Sequence, residues 1–142
     1  MNQPLNRESI LFNPGSRRSI AWLTLLVYIG YPLAATAQVA ADAAASAQKR
    51  PVIDTTANGI PLVQITTPNA SGVSHNQYTQ YNVDPSGLIL NNSATNVLTQ
   101  QAGYVPGNQN LVNGSARIIL NEVTGTSISQ LNGYTEVAGQ KA

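Results

Sequence analysis

From Pro68 to Ala142 the chain is dominated by Asn, Gln, Ser, Thr and Gly, is nearly free of charge, and is cut into short β-type runs by turn residues. That arrangement leaves few ways to fold. Uncharged polar strands with frequent turns stack into solenoids, where each rung covers its neighbour, and they seldom build enzyme pockets. Charged residues make up 9% of the chain, against ~25% in an average globular domain. A nucleic-acid surface needs clustered Lys and Arg, so none is expected here. Disordered chains are usually charged and poor in β-branched residues. Val, Ile and Thr are frequent in this one, which points to ordered β structure. There is no cysteine, and with it go a disulfide framework and a Cys-ligated metal.

The first 37 residues read differently. Arg7, Arg17 and Arg18 lead, Ile20 to Ile29 is apolar apart from Thr24, Pro32 follows, and Ala35-Thr36-Ala37 has small residues at both ends. A basic start, a short apolar centre and a small-residue exit make a secretory signal peptide, with cleavage expected after Ala37. The apolar run is shorter than the ~20 residues of a spanning helix, and Gly30, Tyr31 and Pro32 break it. After residue 37 the chain holds four basic and five acidic residues, a net charge of −1. The basic pI of the whole chain therefore says nothing about partners of the mature part.

Residues 38–50 are Ala-rich. Alanine buries little, and a short isolated helix is marginal, so they read as a flexible leader to a domain spanning 51–142. Turn signals then come often. Asn58-Gly59 is a tight-turn pair and Asp84-Pro85-Ser86-Gly87 fits a type I turn. Between the turns lie extended runs at Leu62 to Thr66, Val73 to Val83, Leu88 to Leu90, Ala116 to Val123 and Tyr134 to Ala138, with Tyr104 to Gly114 reading as loop. No amphipathic helix of useful length follows Pro51. Short strands at close spacing make an all-β fold. Leu88-Ile89-Leu90-Asn91 is echoed at Ile118-Ile119-Leu120-Asn121. Two copies are fewer than the three or so a solenoid calls for. An Asn after an apolar triplet nonetheless suits a corner, where it tolerates left-handed backbone and can bond to stacked amides.

Residues for chemistry are sparse, and no catalytic, metal or cofactor site is expected. His75 is the single histidine and Ser74 beside it points to the opposite face of a strand. A triad needs a nucleophile, a base and an orienting group together. Asp84, Glu122 and Glu136 are isolated in sequence. Parallel-helix glycan enzymes do bring distant carboxylates together, but Asp84 has a turn to make. Asn-x-Ser triplets at Asn69, Asn91 and Asn113 read as chance in so Asn-rich a chain. Tyr78, Tyr81, Tyr104 and Tyr134 suit packing with hydroxyls toward water more than a sugar-stacking face.

The words "GVSHNQYTQYNV" (Gly72 to Val83), "GLILNNS" (Gly87 to Ser93) and "ARIILNEVTGTSISQLNGYTEVAGQKA" (Ala116 to Ala142) resemble the N-terminal secretion domain of two-partner-secretion exoproteins. This is the haemagglutination-activity domain of filamentous haemagglutinin, large haemolysins and contact-dependent inhibition proteins of Gram-negative bacteria. The family's Asn-Pro-Asn-Leu motif falls on Asn108-Gln109-Asn110-Leu111, with Gln109 in the proline position, which loosens a turn by removing a fixed φ. A second motif, Asn-Pro-Asn-Gly-Ile, would fall beyond Ala142. The resemblance therefore implies the front of a secretion domain, from a fragment, a split gene or a truncated one.

The resemblance further implies a right-handed parallel β-helix with an N-terminal cap, here incomplete, and a non-enzymatic secretion address for an adhesin or toxin precursor. The route implied is Sec export to the periplasm, capture in extended form by the periplasmic domains of an outer-membrane β-barrel transporter, and folding at the cell surface or in the medium. Any glycan contact would belong to the long body that follows in such proteins. Partner-binding residues are expected at His75, Asn76, Gln77 and Tyr78 on an early strand, and at Asn108, Gln109, Asn110 and Leu111 in the signature loop. The alternatives are a small carbohydrate-binding or polysaccharide-processing β-solenoid, and a fragment too short to function alone.

Overall fold

The computed structural model describes residues 38–142; the expected signal peptide and the expected cleavage after Ala37 fall outside the described residues. Among the described residues there are nine strands and one short 3-10 helix (Ala47–Lys49), and no described helix is long and apolar enough to cross a membrane. The strands are β1 (Val39–Ala41), β2 (Val52–Thr55), β3 (Pro61–Gln64), β4 (Val73–Tyr81), β5 (Leu88–Asn92), β6 (Val97–Thr99), β7 (Gly103–Val105), β8 (Ile118–Val123) and β9 (Thr135–Gly139). The all-β expectation holds. Short β-branched runs separated by Gly, Asn and Pro have no other way to satisfy their backbone groups.

The chain moves between two sheets. One has the order β2-β3-β5-β9 and the other β1-β4-β8. From β3 it crosses to β4, returns to β5, crosses to β8 and returns to β9. Each return lands parallel beside the strand laid down one circuit earlier, with Leu62 opposite Ile89, His75 opposite Leu120 and Leu90 opposite Val137. The outer N-terminal strands are antiparallel, β1 on β4 and β2 on β3. The expected turn at 84–87 closes through Gly87 N–H to Asp84 C=O at 2.9 Å, with Gly87 at φ +96°.

Two cores result from strand alternation. Leu88 and Leu90 point between the sheets to meet Val63, Ile65, Tyr78 and Val83, while Ile89 points the other way to Ile60, Leu62, Val105 and Ala138. The second core exists because residues 93–110 leave the circuit, form the antiparallel hairpin β6–β7, and lie on the outer face of the four-stranded sheet. Tyr78 and Tyr81 meet edge to face, ring centroids 5.0 Å apart. Burial pushes both phenols up, Tyr81 to about 12.

Several expectations change. Residues 38–50 are not a flexible leader: β1 pairs with β4, Val39 is in the core, and Ala45 is buried. The physical reason is that an Ala-rich segment stays loose only in isolation, and here β4 offers it an edge of unpaired backbone. Asn91 and Asn121 are not left-handed corners. Both lie inside strands, and among the described residues positive φ falls on glycine alone. Nor do they stack on one another, since β5 and β8 belong to different sheets. The amide pairing that does form links register partners Gln64 and Asn91, with Asn91 Nδ2 donating to Gln64 Oε1 at 2.9 Å. The hairpin was not expected, and Tyr104 lies in β7 rather than in a loop.

Candidate functional site

Alternation along β4 divides the first candidate segment in two. Asn76 and Tyr78 point inward and are fully buried. Asn76 Oδ1 accepts the Thr66 N–H at 2.9 Å and its amide donates toward Leu120 C=O, while the Tyr78 hydroxyl donates to Asn121 Oδ1 at 3.1 Å. These bonds tie β4 to β8 and to the preceding loop. His75 and Gln77 point outward and converge on Glu122 of β8: His75 Nε2 lies 2.6 Å from Glu122 Oε2 and Gln77 Nε2 donates to the same oxygen at 2.8 Å. The Gln77 bond, followed by the His75 bond, holds the Glu122 carboxyl below its usual value. The cluster is on an open sheet face with Glu122 46% exposed, so it is a cross-strand clasp in water and not an enclosed reaction centre.

The signature loop divides likewise. Asn108 is buried: its N–H donates to Ser93 C=O at 2.7 Å and its amide donates to Ile65 C=O and Asn91 C=O, each at 3.0 Å. Asn108 Oδ1 accepts the Asn110 N–H at 2.9 Å, Asn110 Nδ2 also reaches Ile65 C=O, and Leu111 N–H closes the turn on Asn108 C=O at 3.2 Å. Leu111 is inserted in the main core. The two Asn side chains hold the turn with Gln109, fully at the surface, in the proline position. They act as a staple that brings the outlying segment back onto β3 and β5.

The structure therefore brings His75 and Asn110, far apart in sequence, to the walls of one open groove of about 690 Å³, together with Lys49, Arg50 and Val52. Asn76, Tyr78, Asn108 and Leu111 are buried and lie outside this groove. Glu122, Lys49 and Arg50 were missed as neighbours of His75 because β4–β8 register and the position of the 3-10 helix are tertiary facts. Glu136, read as an isolated acid, is 8% exposed and accepts the N–H groups of Gln100 and Gln101 at 2.8 and 3.0 Å, fastening the hairpin turn onto β9. Among the described residues no group of three or more His, Asp or Glu could hold a metal ion.

The described residues are thus all-β, with successive circuits paired in parallel and buried amides bonded between neighbouring segments. The TPS secretion domain matches residues 37–142 of the chain. The chain is 50% identical over 119 residues to "Toxin CdiA" of Yersinia pestis, covering 83% of this chain and 4% of that protein. It is 43% identical over 108 residues to "Hemolysin" of Serratia marcescens, covering 76% of this chain and 7% of that protein. The crystal structure of the filamentous hemagglutinin secretion domain superposes with a TM-score of 0.64 at 36% identity, over 73% of this chain and 33% of that one. The chain belongs to the TPS secretion domain family, and it spans only a few per cent of the length of these curated relatives.

Proposed function

We propose that this domain is the export address of a longer exoprotein, an adhesin or toxin precursor. After Sec export it is read in the periplasm by the periplasmic domains of a cognate outer-membrane β-barrel transporter. Outside, it folds into the cap and first coils of a right-handed parallel β-helix. The observation that carries the reading is the family match over residues 37–142. The parallel return of β5 onto β3, β8 onto β4 and β9 onto β5 supports the β-helix, and antiparallel β1 and β2 supply the cap.

Burial supports the order of events. Asn76, Tyr78, Asn108 and Leu111 are buried in the folded domain, so a transporter that reads them does so before folding. Parallel pairing between distant segments closes late, which leaves time for capture. Edge-strand addition is the recognition mode that suits an extended polar segment. The test is co-expression with the cognate transporter. The chain is expected in the medium with the transporter and in the periplasm without it; retention in the periplasm in both cases overturns the reading.

A further inference from the structure

We infer that the folded domain carries a binding furrow for an extended acidic glycan along the outward face of β2, which goes beyond a role in secretion. The outlying segment covers β3, β5 and β9 through Val105 packed on Leu62, Ile89 and Ala138, but stops short of β2. Val52 is left 51% exposed, and Asp54 beside it is exposed too. Three hollows of about 690, 360 and 360 Å³ adjoin there. Val52 and Asn110 are shared by the first and second along the furrow, and Asp54 and Pro106 by the second and third. Together they make one continuous furrow, a single strand wide.

Its two ends differ in chemistry. At one end stand Lys49 and Arg50; neither forms a salt bridge among the described residues, where the one ion pair is His75 with Glu122. At the other end is Tyr104, 78% exposed with its ring in open water. Between them lie the Asp54 carboxylate, held by a bond from Gln64 Nε2 at 3.0 Å, and the amides of Gln109 and Asn110, the latter also donating to Ile65 C=O. The floor is a strand face, which presents side chains and not the free backbone groups that an added peptide strand pairs with. An exposed phenol stacks on the apolar face of a pyranose ring, amides bond to ring hydroxyls, and cations outside any salt bridge take carboxylates, although Arg50 also donates to Ala45 C=O and Lys49 lies within reach of the Glu122 charge. An extended polyuronate meets all three demands; a neutral glucan leaves the cations unanswered.

The test is calorimetric titration of the full chain with a hexauronate of the alginate type, with a neutral glucose hexamer and hexaglutamate in parallel. The expected result is hexauronate binding that weakens with salt, about tenfold in Lys49→Ala/Arg50→Ala and about fivefold in Tyr104→Ala, with Tyr104→Phe close to the parent. Thermal unfolding of the Tyr104 variants is expected to match the parent, and that of Lys49→Ala/Arg50→Ala to drop slightly, since Arg50 donates to Ala45 C=O. Absence of hexauronate binding, indifference to Tyr104→Ala, or equally tight binding of hexaglutamate would each overturn the inference, the last by reducing it to charge alone.

Discussion

Strands β5 and β8 carry nearly the same words, Leu-Ile-Leu-Asn and Ile-Ile-Leu-Asn, and live in opposite surroundings. Every residue of β5 is buried, whereas β8 alternates between exposed and half-buried. Both sit in parallel ladders, and both point one face at the main core. The difference is the outer face. Residues 93–110 roof the sheet that holds β5, whereas the outer face of β8 is left with Ile118 and Leu120 exposed. An apolar triplet therefore records that a strand is wanted, and the path of a distant excursion decides whether that strand is covered once or twice.

The sharpest way to break this comparison is truncation on the two outer faces. Ile89→Ala removes a fully buried side chain from the roofed outer face of β5 and is expected to cost about 2–5 kcal/mol. Ile118→Ala, at a site 55% exposed, is expected to cost less than about 1 kcal/mol. Urea unfolding of the two variants checks this, and equal costs would mean that β8 is roofed in solution. The amides come next. Asn92 Nδ2 donates to Ala116 C=O and Gln140 C=O, and its Oδ1 accepts the Ala116 N–H at 2.7 Å. Asn92→Ala strands buried backbone groups and is expected to cost about 2–3 kcal/mol, against about 1 kcal/mol for Asn121→Ala, which loses the Tyr78 hydroxyl bond.

Glu136→Gln tests the roof itself. It places an amide donor against one of the two N–H groups the carboxylate accepts, at an expected cost of about 1–2 kcal/mol. Hydrogen exchange at Gln100 and Gln101 should quicken while the β4–β8 amides stay protected. If both ladders quicken together, the roof and the open sheet are one cooperative unit.

The smallest expected effect is on the open face. Hydrogen bonds lower the carboxyl of Glu122, and those of Asp42 from Thr124 and Ala44 do the same. A carboxylate held below its unfolded value contributes stability that is present above the ordinary carboxylate range and is lost as pH falls through the lowered value. The melting temperature is therefore expected to fall on acidification through and below that range, and to fall less in Glu122→Gln. An identical acid response in Glu122→Gln would remove the His75–Gln77–Glu122 clasp from any account of β8.

Much of this was legible in the residues. The turn at 84–87 has Asp, Pro and Gly at the positions that turn demands, and the strands at 73–81, 88–92 and 118–123 follow from β-branched runs between breakers. The candidate site was legible only in half. Period-two alternation already says that His75 and Gln77 share one face and Asn76 and Tyr78 the other, but not which face meets water. The loop at 108–111 was visible as a motif. Its role as a staple was not, because its partners are the carbonyls of Asn91 in β5 and of Ile65 just beyond β3, both distant in sequence.

By itself the sequence determined the class of fold: low charge, absent cysteine and frequent turn residues admit short polar strands and exclude a helical or disulfide-built domain. It also determined the family, through long phrases that survive substitution. The tertiary structure decided which strands pair, which asparagines are buried, and that β2 is left bare while β3, β5 and β9 are roofed. The reason is that local residue chemistry sets backbone conformation over a few positions, whereas register and covering depend on contacts between segments tens of residues apart, which no local pattern specifies.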